Sequence, residues 1–274
     1  MKKVFILALA LGLLTACATS PTGRRQLMLI SPDAAIVQSK QAYLSTVSDL
    51  DKENKLLDDP KVADRVATIT GRLVTEAIAM YPNTANWEWS VAIIDDPETV
   101  NAWCMAGGRM AVYTGLFDKL KLTDAEFAQI MGHEISHALA NHTAERMSRS
   151  MATSIGVLAV GIASDKPMAT MAGGAMAAKL ALELPNSRTA ESEADRIGME
   201  LAVRAGYDPD AAVTLWQKMG ALGGSTPPQF LSTHPSPGNR EAELAAMIPE
   251  MRKLNPTGKL ARPTAIEIIR DVTP

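Results

Sequence analysis

The stretch His133-Glu134-Ile135-Ser136-His137 governs how the rest of this sequence is interpreted. Residues four positions apart in an α-helix lie on the same face, so His133 and His137 can both bind one metal ion. Glu134 flanks them, within reach of a water molecule on that metal. The pattern H-E-x-x-H is typical of zinc hydrolases, in which the glutamate is the general base. The leading interpretation is therefore a zinc hydrolase.

The surrounding sequence predicts a long helix. Thr123 followed by Glu126 forms a capping box, and no proline occurs from Asp124 to about Met151. The two histidines of the motif could instead be ordinary core residues. However, buried imidazoles next to a carboxylate need polar partners, which a metal provides directly. On one continuous helix His142 would face away from His137, so we expect His142 to be a polar neighbour rather than a ligand.

A catalytic zinc site has three protein ligands and leaves one position for water, so a third ligand must come from elsewhere. The other imidazoles of the chain, at His142 and His234, are possible, as are the carboxylates of a second predicted helix. On that helix Glu191 and Asp195 share a face with small residues, which would allow close approach to the first helix. Glu193 falls on a charged face that we expect to be solvated.

These positions lead to a specific prediction for the second helix. Glu191 is the third ligand, and Asp195 accepts the second ring N–H of a ligating histidine and so fixes its tautomer. Replacing Glu191 should remove the metal, whereas replacing Glu193 should not. The alternative is that the whole segment from Ser187 to Asp195 is an ordinary surface helix.

The sequence resembles metallopeptidase family forty-eight, the gluzincin group that includes the CAAX prenyl proteases, HtpX and periplasmic lipoproteins such as BepA and LoiP. Glu191-Ser192-Glu193-Ala194-Asp195 resembles the E-x-x-A-D helix that follows H-E-x-x-H in this family. The segment from Asn101-Ala102 to Leu116 resembles the strand before the active-site helix. Thr233-His234-Pro235 with Arg240 resembles a late His-Pro…Arg element. The resemblance covers about residues 20 to 245.

The resemblance implies one zinc ion per chain, bound by His133, His137 and Glu191. It also places His234, with Arg240, near the metal. Two roles for His234 are open: donor to the oxyanion of the tetrahedral intermediate, or a fourth ligand that displaces water and keeps the enzyme latent. The segment from Asn101 and Ala102 to Thr114 would offer an edge strand, to which an extended substrate adds through main-chain hydrogen bonds.

The N-terminus has the pattern of a lipoprotein precursor. Lys2 and Lys3 precede an apolar stretch, Val4 to Leu14, and Leu14-Thr15-Ala16-Cys17 fits a lipoprotein cleavage box. The apolar stretch is too short for a stable transmembrane helix. Cleavage before Cys17 would leave a lipidated cysteine as the first mature residue. A plain signal anchor with a chance cysteine is the alternative.

We therefore predict three regions: residues 1–16 as a signal peptide, 17–30 as a lipidated tether and 31–274 as one metallopeptidase domain. Ala18 is not the aspartate that usually signals inner-membrane retention. The expected location is the periplasmic face of the outer membrane. If Cys17 carries lipid, Cys104 is the other cysteine of the chain, and we expect it to be a buried packing residue on a strand.

The expected fold class is α+β, a mostly helical zincin with a small sheet beside the H-E-x-x-H helix. Capping residues followed by proline predict helix starts at Ser31-Pro32, Asp59-Pro60, Asp208-Pro209 and Ser236-Pro237. Strands are expected over residues 87–94, 100–106 and 109–114. Residues 151–184 are expected to form a buried or interfacial helical hairpin, whose methionines could supply an adaptable apolar surface: Met151, Met168, Met171 and Met176.

Together these features predict a zinc-dependent endopeptidase that degrades unfolded or misassembled proteins of the cell envelope. The alternative is a chaperone or assembly factor for outer-membrane proteins with latent proteolysis. A structural zinc module fits less well, because such sites are closed by four Cys or His ligands and need no glutamate. Expected partners are unfolded polypeptides, the outer membrane through the lipid, and envelope assembly machinery. The net charge of −3 gives no reason to expect nucleic-acid binding.

Overall fold

The computed structural model describes residues 17–163, 187–222, 228–235 and 239–270. Within these ranges the strands are β1 (Cys17–Thr19), β2 (Arg25–Leu27), β3 (Ser90–Ile94), β4 (Ala102–Met105), β5 (Arg109–Tyr113) and β6 (Glu267–Ile269). The helices are α1 (Pro32–Lys52), α2 (Pro60–Met80), α3 (Gly115–Leu120), α4 (Asp124–Leu139), α5 (His142–Ala163), α6 (Arg188–Arg204), α7 (Asp210–Ala221), α8 (Gln229–Thr233) and α9 (Arg240–Met251). The fold is α+β and mostly helical, as predicted.

Side-chain caps fix the starts of the main helices. The Ser31 hydroxyl accepts from the Ala34 amide at the start of α1, and the Asp59 carboxylate accepts from two amides at the start of α2. At α4 the predicted capping box is complete, with Thr123 and Glu126 each bonded to the backbone of the other. These caps satisfy amides that have no partner inside the helix, and they confirm three of the predicted starts.

The larger sheet has the strand order β4-β5-β3-β6. Strand β3 runs parallel to β5 and β6, whereas β4 is antiparallel to β5. The β4–β5 turn contains Gly107 and Gly108, both with positive φ, where a side chain would be strained. Every residue of β3 is buried, which explains why its sequence after Ser90 is apolar. Strand β4 lies at the edge of this sheet.

Helix α4 lies in the core and contacts β4, α2 and α6. Its approach to α6 is closest where Gly132 meets Gly198. A Cβ atom on Gly132 would lie 2.7 Å from the Gly198 carbonyl oxygen, and one on Gly198 would lie 2.6 Å from the His133 amide nitrogen. Only glycine permits this backbone contact, so the small residues of α6 do allow the close approach that the sequence predicts.

The continuous helix that we expected from Asp124 to about Met151 is wrong. Helix α4 ends at Leu139, and Asn141 has a φ of 56° in the left-handed region. Asparagine tolerates this conformation better than most residues, because its short polar side chain can bond locally. The chain turns at Asn141 and starts α5 at His142, so the helical phase that we assigned to His142 relative to His137 does not apply.

Residues 17–27, expected to belong to a tether, instead form a hairpin packed on the domain. Strands β1 and β2 pair in antiparallel register from Cys17 opposite Leu27 to Thr19 opposite Arg25. Gln26 is only 2% exposed and donates to the Ala140 carbonyl oxygen at 2.8 Å, just before the α4–α5 turn. The hairpin docks because its polar side chains have buried partners, which its composition alone does not reveal. Cys17 itself is exposed.

Some expectations fall outside the described ranges. Residues 164–186 and 236–238 are not described, so the predictions for Met168, Met171 and Met176 and for the helix start at Ser236-Pro237 lie outside the described residues. The described helix nearest that start, α9, begins at Arg240, and α7 begins at Asp210, just after Asp208-Pro209. Helix α5 reaches Ala163, and Met151 on it is exposed. Among the described helices, none has the length and apolar character needed to span a bilayer.

Candidate metal centre

Four buried side chains converge between α4, α6 and α8. They are His133, His137, Glu191 and His234, and one potential ligand atom from each lies within 4.8 Å of the others. Nε2 of His133 lies 3.1 Å from Nε2 of His137 and 3.3 Å from Oε2 of Glu191. Atoms that bind a tetrahedral zinc ion at about 2.0–2.1 Å lie about 3.3 Å apart. The donor set and its spacing therefore fit a metal ion.

Burial and neighbouring charges set the protonation of these groups. Burial alone lowers the pKa of His133, but hydrogen bonds with Asp195 and Glu191 outweigh it and raise the pKa to about 9. The pKa of His137 is well below its usual value because of burial and the charge at His133. Burial by itself would raise the pKa of Glu191, but hydrogen bonds with His133 and His234 have the larger effect, so the pKa lies below its usual range. The cluster thus contains an ionised carboxylate that attracts positive charge, as a cation site requires.

Glu134 faces this cluster from α4. It is buried, and burial raises the pKa of its carboxyl group above the usual range. Its Oε1 atom has no hydrogen-bond partner among the described residues, although His234 Nε2 lies 3.4 Å away. A buried carboxylate oxygen without a partner is rare in folded proteins. A substrate or water at the cluster would supply the missing partner.

A carboxylate and an arginine support His133 from the side opposite the cluster. Nδ1 of His133 lies 2.9 Å from Oδ1 of Asp195, the position predicted for an outer partner of a ligating histidine. Arg240 donates through Nη2 to the same Asp195 oxygen, and its guanidinium lies 3.8 Å from the centre of the Trp216 ring. Arg240 thus belongs to the site by holding Asp195, a role that the sequence analysis did not assign.

Glu193 is not on a solvated face, so that expectation is wrong, and the reason for expecting its replacement to leave metal binding unchanged no longer holds. Its side chain is buried and accepts hydrogen bonds from Thr22 Oγ1 at 2.6 Å and from Arg24 Nε at 3.0 Å. Its Oε2 atom lies 3.1 Å from Nε2 of His142, whose Nδ1 lies 2.8 Å from Nδ1 of His137. Arg24 is 169 residues away from Glu193, so helical phase could not reveal this pairing. His142 is a polar neighbour of His137, as expected, but it is the α4–α5 turn that brings the two side chains together.

The segment before β4 is linked to α8, the short helix that ends just before His234. The Phe230 amide donates to the Val100 carbonyl oxygen at 3.2 Å, and the Phe230 ring stacks on His234 with centroids 4.6 Å apart. Asn101 is buried, and its Oδ1 atom has no partner among the described residues. Ala102 begins β4, which lies at the edge of the larger sheet and contacts α4. The rest of the segment predicted as an edge strand includes β5, which is an inner strand because it pairs with both β4 and β3.

Cys104 is buried on β4, and burial raises the pKa of its thiol well above the usual value. A thiol in this state is a poor nucleophile, because the thiolate is the reactive form. The position agrees with the expected packing role.

Comparison with known proteins gives one consistent result. The chain is 36% identical over 196 residues to mitochondrial metalloendopeptidase OMA1 of Arabidopsis thaliana, covering 71% of this chain and 38% of that protein. It is 30% identical over 274 residues to the mitochondrial metalloendopeptidase OMA1 of Bos taurus, covering 93% and 51%. It is 30% identical over 208 residues to the beta-barrel assembly-enhancing protease of Escherichia coli K12, covering 73% and 41%.

The chain thus spans about half, or less, of the length of these relatives. The sequence profile of peptidase family M48 matches residues 60–248, a span that includes every residue of the buried cluster. The match covers more than half of the chain, and it contains the H-E-x-x-H helix and the α6 helix in the expected order. The chain therefore belongs to peptidase family M48.

Proposed function

We propose that this protein is a zinc-dependent endopeptidase with His133, His137 and Glu191 as metal ligands and Glu134 as general base. The observation that supports this most directly is the buried donor cluster next to the unpartnered Glu134 oxygen. When bound, zinc would polarise a peptide carbonyl and lower the pKa of a water molecule to about 7. Glu134 would take a proton from the attacking water and deliver it to the leaving amine nitrogen. Asp195 and Arg240 would hold His133 in the ligating tautomer.

His234 is proposed to act as a fourth ligand that restrains activity. Its Nδ1 atom lies 3.2 Å from His133 Nε2 and 3.2 Å from each oxygen of Glu191, within the donor set itself. A donor to the oxyanion of the substrate would have to lie beside the ligands, where the substrate oxygen binds. The position within the donor set favours the latent-state role over the oxyanion role.

The proposed substrates are unfolded or misassembled proteins of the cell envelope. Strand β4 lies at the edge of the sheet and contacts α4, the helix that carries His133 and His137, so an extended polypeptide could add to it by main-chain hydrogen bonds, without a fixed sequence. One relative is named a beta-barrel assembly-enhancing protease, whereas others are named mitochondrial. The lipoprotein pattern that ends at Cys17 favours the envelope.

We propose that Cys17 carries the lipid and anchors the protein to the periplasmic face of the outer membrane, where envelope assembly machinery would be a partner. The alternative function is a chaperone or assembly factor for outer-membrane proteins in which proteolysis is latent. The two functions differ in their need for Glu134. An assembly function would persist in a Glu134→Gln variant, whereas degradation of substrate would not.

Cleavage of casein, with and without a chelator, tests the peptidase function. The purified protein should cleave casein, lose this activity with the chelator and recover it on addition of zinc. Glu134→Gln should bind zinc but lose at least a hundredfold in turnover. Glu98→Gln is the matched control, because the Glu98 side chain is 86% exposed and lies outside the cluster. Cleavage that the chelator does not change, or that Glu134→Gln retains, would contradict the proposal.

A further inference from the structure

A line of hydrogen-bonding side chains joins His137 to the N-terminal hairpin. From His137 Nδ1 the line passes to His142 Nδ1 at 2.8 Å, then from His142 Nε2 to Glu193 Oε2 at 3.1 Å. From Glu193 it passes to Arg24 Nε at 3.0 Å and to Thr22 Oγ1 at 2.6 Å. Arg24 and Thr22 lie in the hairpin, and the other members are buried in the domain.

The geometry allows one consistent assignment of protons along this line. His137 Nε2 faces the donor cluster, 3.1 Å from His133 Nε2. A histidine that binds a metal through Nε2 carries its hydrogen on Nδ1, so His137 donates to Nδ1 of His142. His142 must then carry its own hydrogen on Nε2, which donates to the Glu193 carboxylate. Each donor in the line has one acceptor, and Glu193 fixes the tautomer of both imidazoles.

Arg24 holds the far end of the line in place. Its Nη1 and Nη2 atoms donate to the two oxygens of Glu145 at 2.9 and 2.7 Å, while Nε donates to Glu193. Glu145 is buried and also accepts from Gln26 of the hairpin at 2.9 Å. One arginine therefore serves two buried carboxylates. Without it both acids would lose their main ionic partner, which is costly inside a protein.

We propose that the N-terminal hairpin, residues 17–27, is part of the metal site, and that Arg24, Glu193 and His142 are positioning residues for His137. This support matches the one on the other ligating histidine, where Arg240 holds Asp195 and Asp195 holds His133. Each histidine of the motif is thus oriented by a carboxylate that an arginine secures. The inference rests on the proposed metal site, and it adds a role for a segment outside residues 60–248 of the family match.

Zinc affinity, measured by competition with a fluorescent chelator on the purified protein, tests the proposal. Loss of an outer partner of a ligating histidine weakens metal binding by about 10–100-fold. We expect losses in this range for Glu193→Gln and His142→Leu, and a smaller loss in the same direction for Arg24→Gln. His142→Gln keeps one donor and one acceptor, so its affinity should lie between those of wild type and His142→Leu.

Arg149→Gln is the matched control. Arg149 pairs with Glu145 but does not contact Glu193 or His142, so its loss should leave zinc affinity within twofold of wild type. Thermal unfolding of each metal-free variant shows whether packing alone has changed. Should His142→Leu fail to fold, Glu193→Gln decides the question, because it keeps the size of the side chain and an acceptor for His142.

Three results would overturn the proposal, and they can be told apart. Zinc affinity within twofold of wild type in Glu193→Gln and Arg24→Gln would exclude the positioning role. An equal affinity loss in Arg149→Gln would show that general packing, rather than the line to His137, is responsible. Absence of zinc binding in the wild-type protein would contradict the proposed metal site, and with it the proposed function.

Discussion

Nδ1 of His133 on α4 and Oδ1 of Asp195 on α6 lie 2.9 Å apart, and this pair connects the two helices that carry the proposed ligands. The contact depends on how closely the helices approach. Gly132 and Gly198 bring the two backbones together within one turn of both residues. The geometry of the candidate metal centre therefore depends on helix packing, and changes in the packing should alter metal binding as directly as changes in the proposed ligands.

The first prediction separates the ligand on α6 from its neighbours. Glu191→Ala should lose most of the zinc, because it removes a donor atom of the cluster. Asp195→Asn should retain the site but bind zinc about 10–100-fold more weakly, since it removes the anionic partner of His133. Glu200→Ala on the same helix is the control and should bind normally, as Glu200 pairs with Arg204 outside the cluster. Zinc content after dialysis and chelator competition measure these differences. Full zinc content in Glu191→Ala would contradict the ligand assignment.

The second prediction concerns the contact between the two helices. A methyl group in Gly198→Ala would lie 2.6 Å from the His133 amide nitrogen and 2.8 Å from the Gly132 carbonyl carbon, so the helices must separate. We expect a loss of about 1–3 kcal/mol in the free energy of unfolding, together with weaker zinc binding. Gly156→Ala is the matched control, because a Cβ there meets no atom of the described residues within 4 Å and the helix gains propensity. Unfolding in urea, followed by circular dichroism, compares the two. A Gly198→Ala protein as stable as wild type would show that the helices can adjust.

The sequence was sufficient for the parts of the site that depend on local periodicity. His133, Glu134 and His137 share one helix of known pitch, and Glu191 and Asp195 share another. Sequence spacing alone therefore gives the relative directions of the side chains on each helix. The position of His142 was not accessible, because a single left-handed residue, Asn141, ends α4 where no glycine or proline marks the end. That asparagine was the one available signal.

The docking of the hairpin was also beyond sequence reasoning. Arg24 contacts Glu193 and Glu145 only after the whole chain has folded, and a short polar segment rich in Gly, Pro and Arg has the composition of a linker. Burial of Glu193 follows from this docking. Helical phase gives the direction in which a side chain points, but it does not tell whether another segment covers that side.

The third prediction tests the location of the protein. If Cys17 is acylated, the mature protein should fractionate with outer membranes. Cys17→Ser should remain uncleaved or leave that fraction, because lipidation requires the thiol. Cys104→Ser is the control and should process normally, since Cys104 is buried in β4. Immunoblots of separated membrane fractions report both processing and location. Unchanged processing and fractionation of Cys17→Ser would exclude the lipoprotein assignment.

The fourth prediction concerns the pH dependence of stability in metal-free protein. Burial raises the pKa of Glu145, but hydrogen bonds from Arg24 and Gln26 and nearby positive charges outweigh this effect, so the pKa falls below its usual 4.5. A carboxyl group with a lowered pKa in the folded state stabilises the fold at pH values above its unfolded pKa. This contribution is lost as the pH falls through the folded pKa. Wild-type stability should therefore decrease below about pH 4.5.

Glu145→Gln should make that decrease smaller. We expect the variant to be about 1–3 kcal/mol less stable than wild type at pH 7, with the difference shrinking as the pH falls below the usual pKa of the carboxyl group. Glu98→Gln, at an exposed position, should differ from wild type by less than about 0.5 kcal/mol across the range. Urea unfolding at several pH values, in the presence of a chelator, measures both variants. A difference that stays constant with pH would show that ionised Glu145 does not contribute.

The last prediction addresses His234, for which the two roles give opposite results. As a fourth ligand, His234 occupies a position that water needs, so His234→Ala should raise basal casein turnover while zinc remains bound by His133, His137 and Glu191. As an oxyanion donor, its removal would cost about 2.7–4 kcal/mol of transition-state stabilisation, a loss of a hundred- to thousandfold in turnover. The 3.2 Å distances from its Nδ1 atom to His133 and Glu191 favour the first result. Thr233→Ala, one residue earlier on α8, controls for disturbance of the helix, because among the described residues the Thr233 hydroxyl donates to backbone carbonyls of its own turn and to no group of the cluster. Casein turnover and zinc content of both variants decide the role, and a large loss of activity in His234→Ala at full zinc occupancy would exclude the fourth-ligand role.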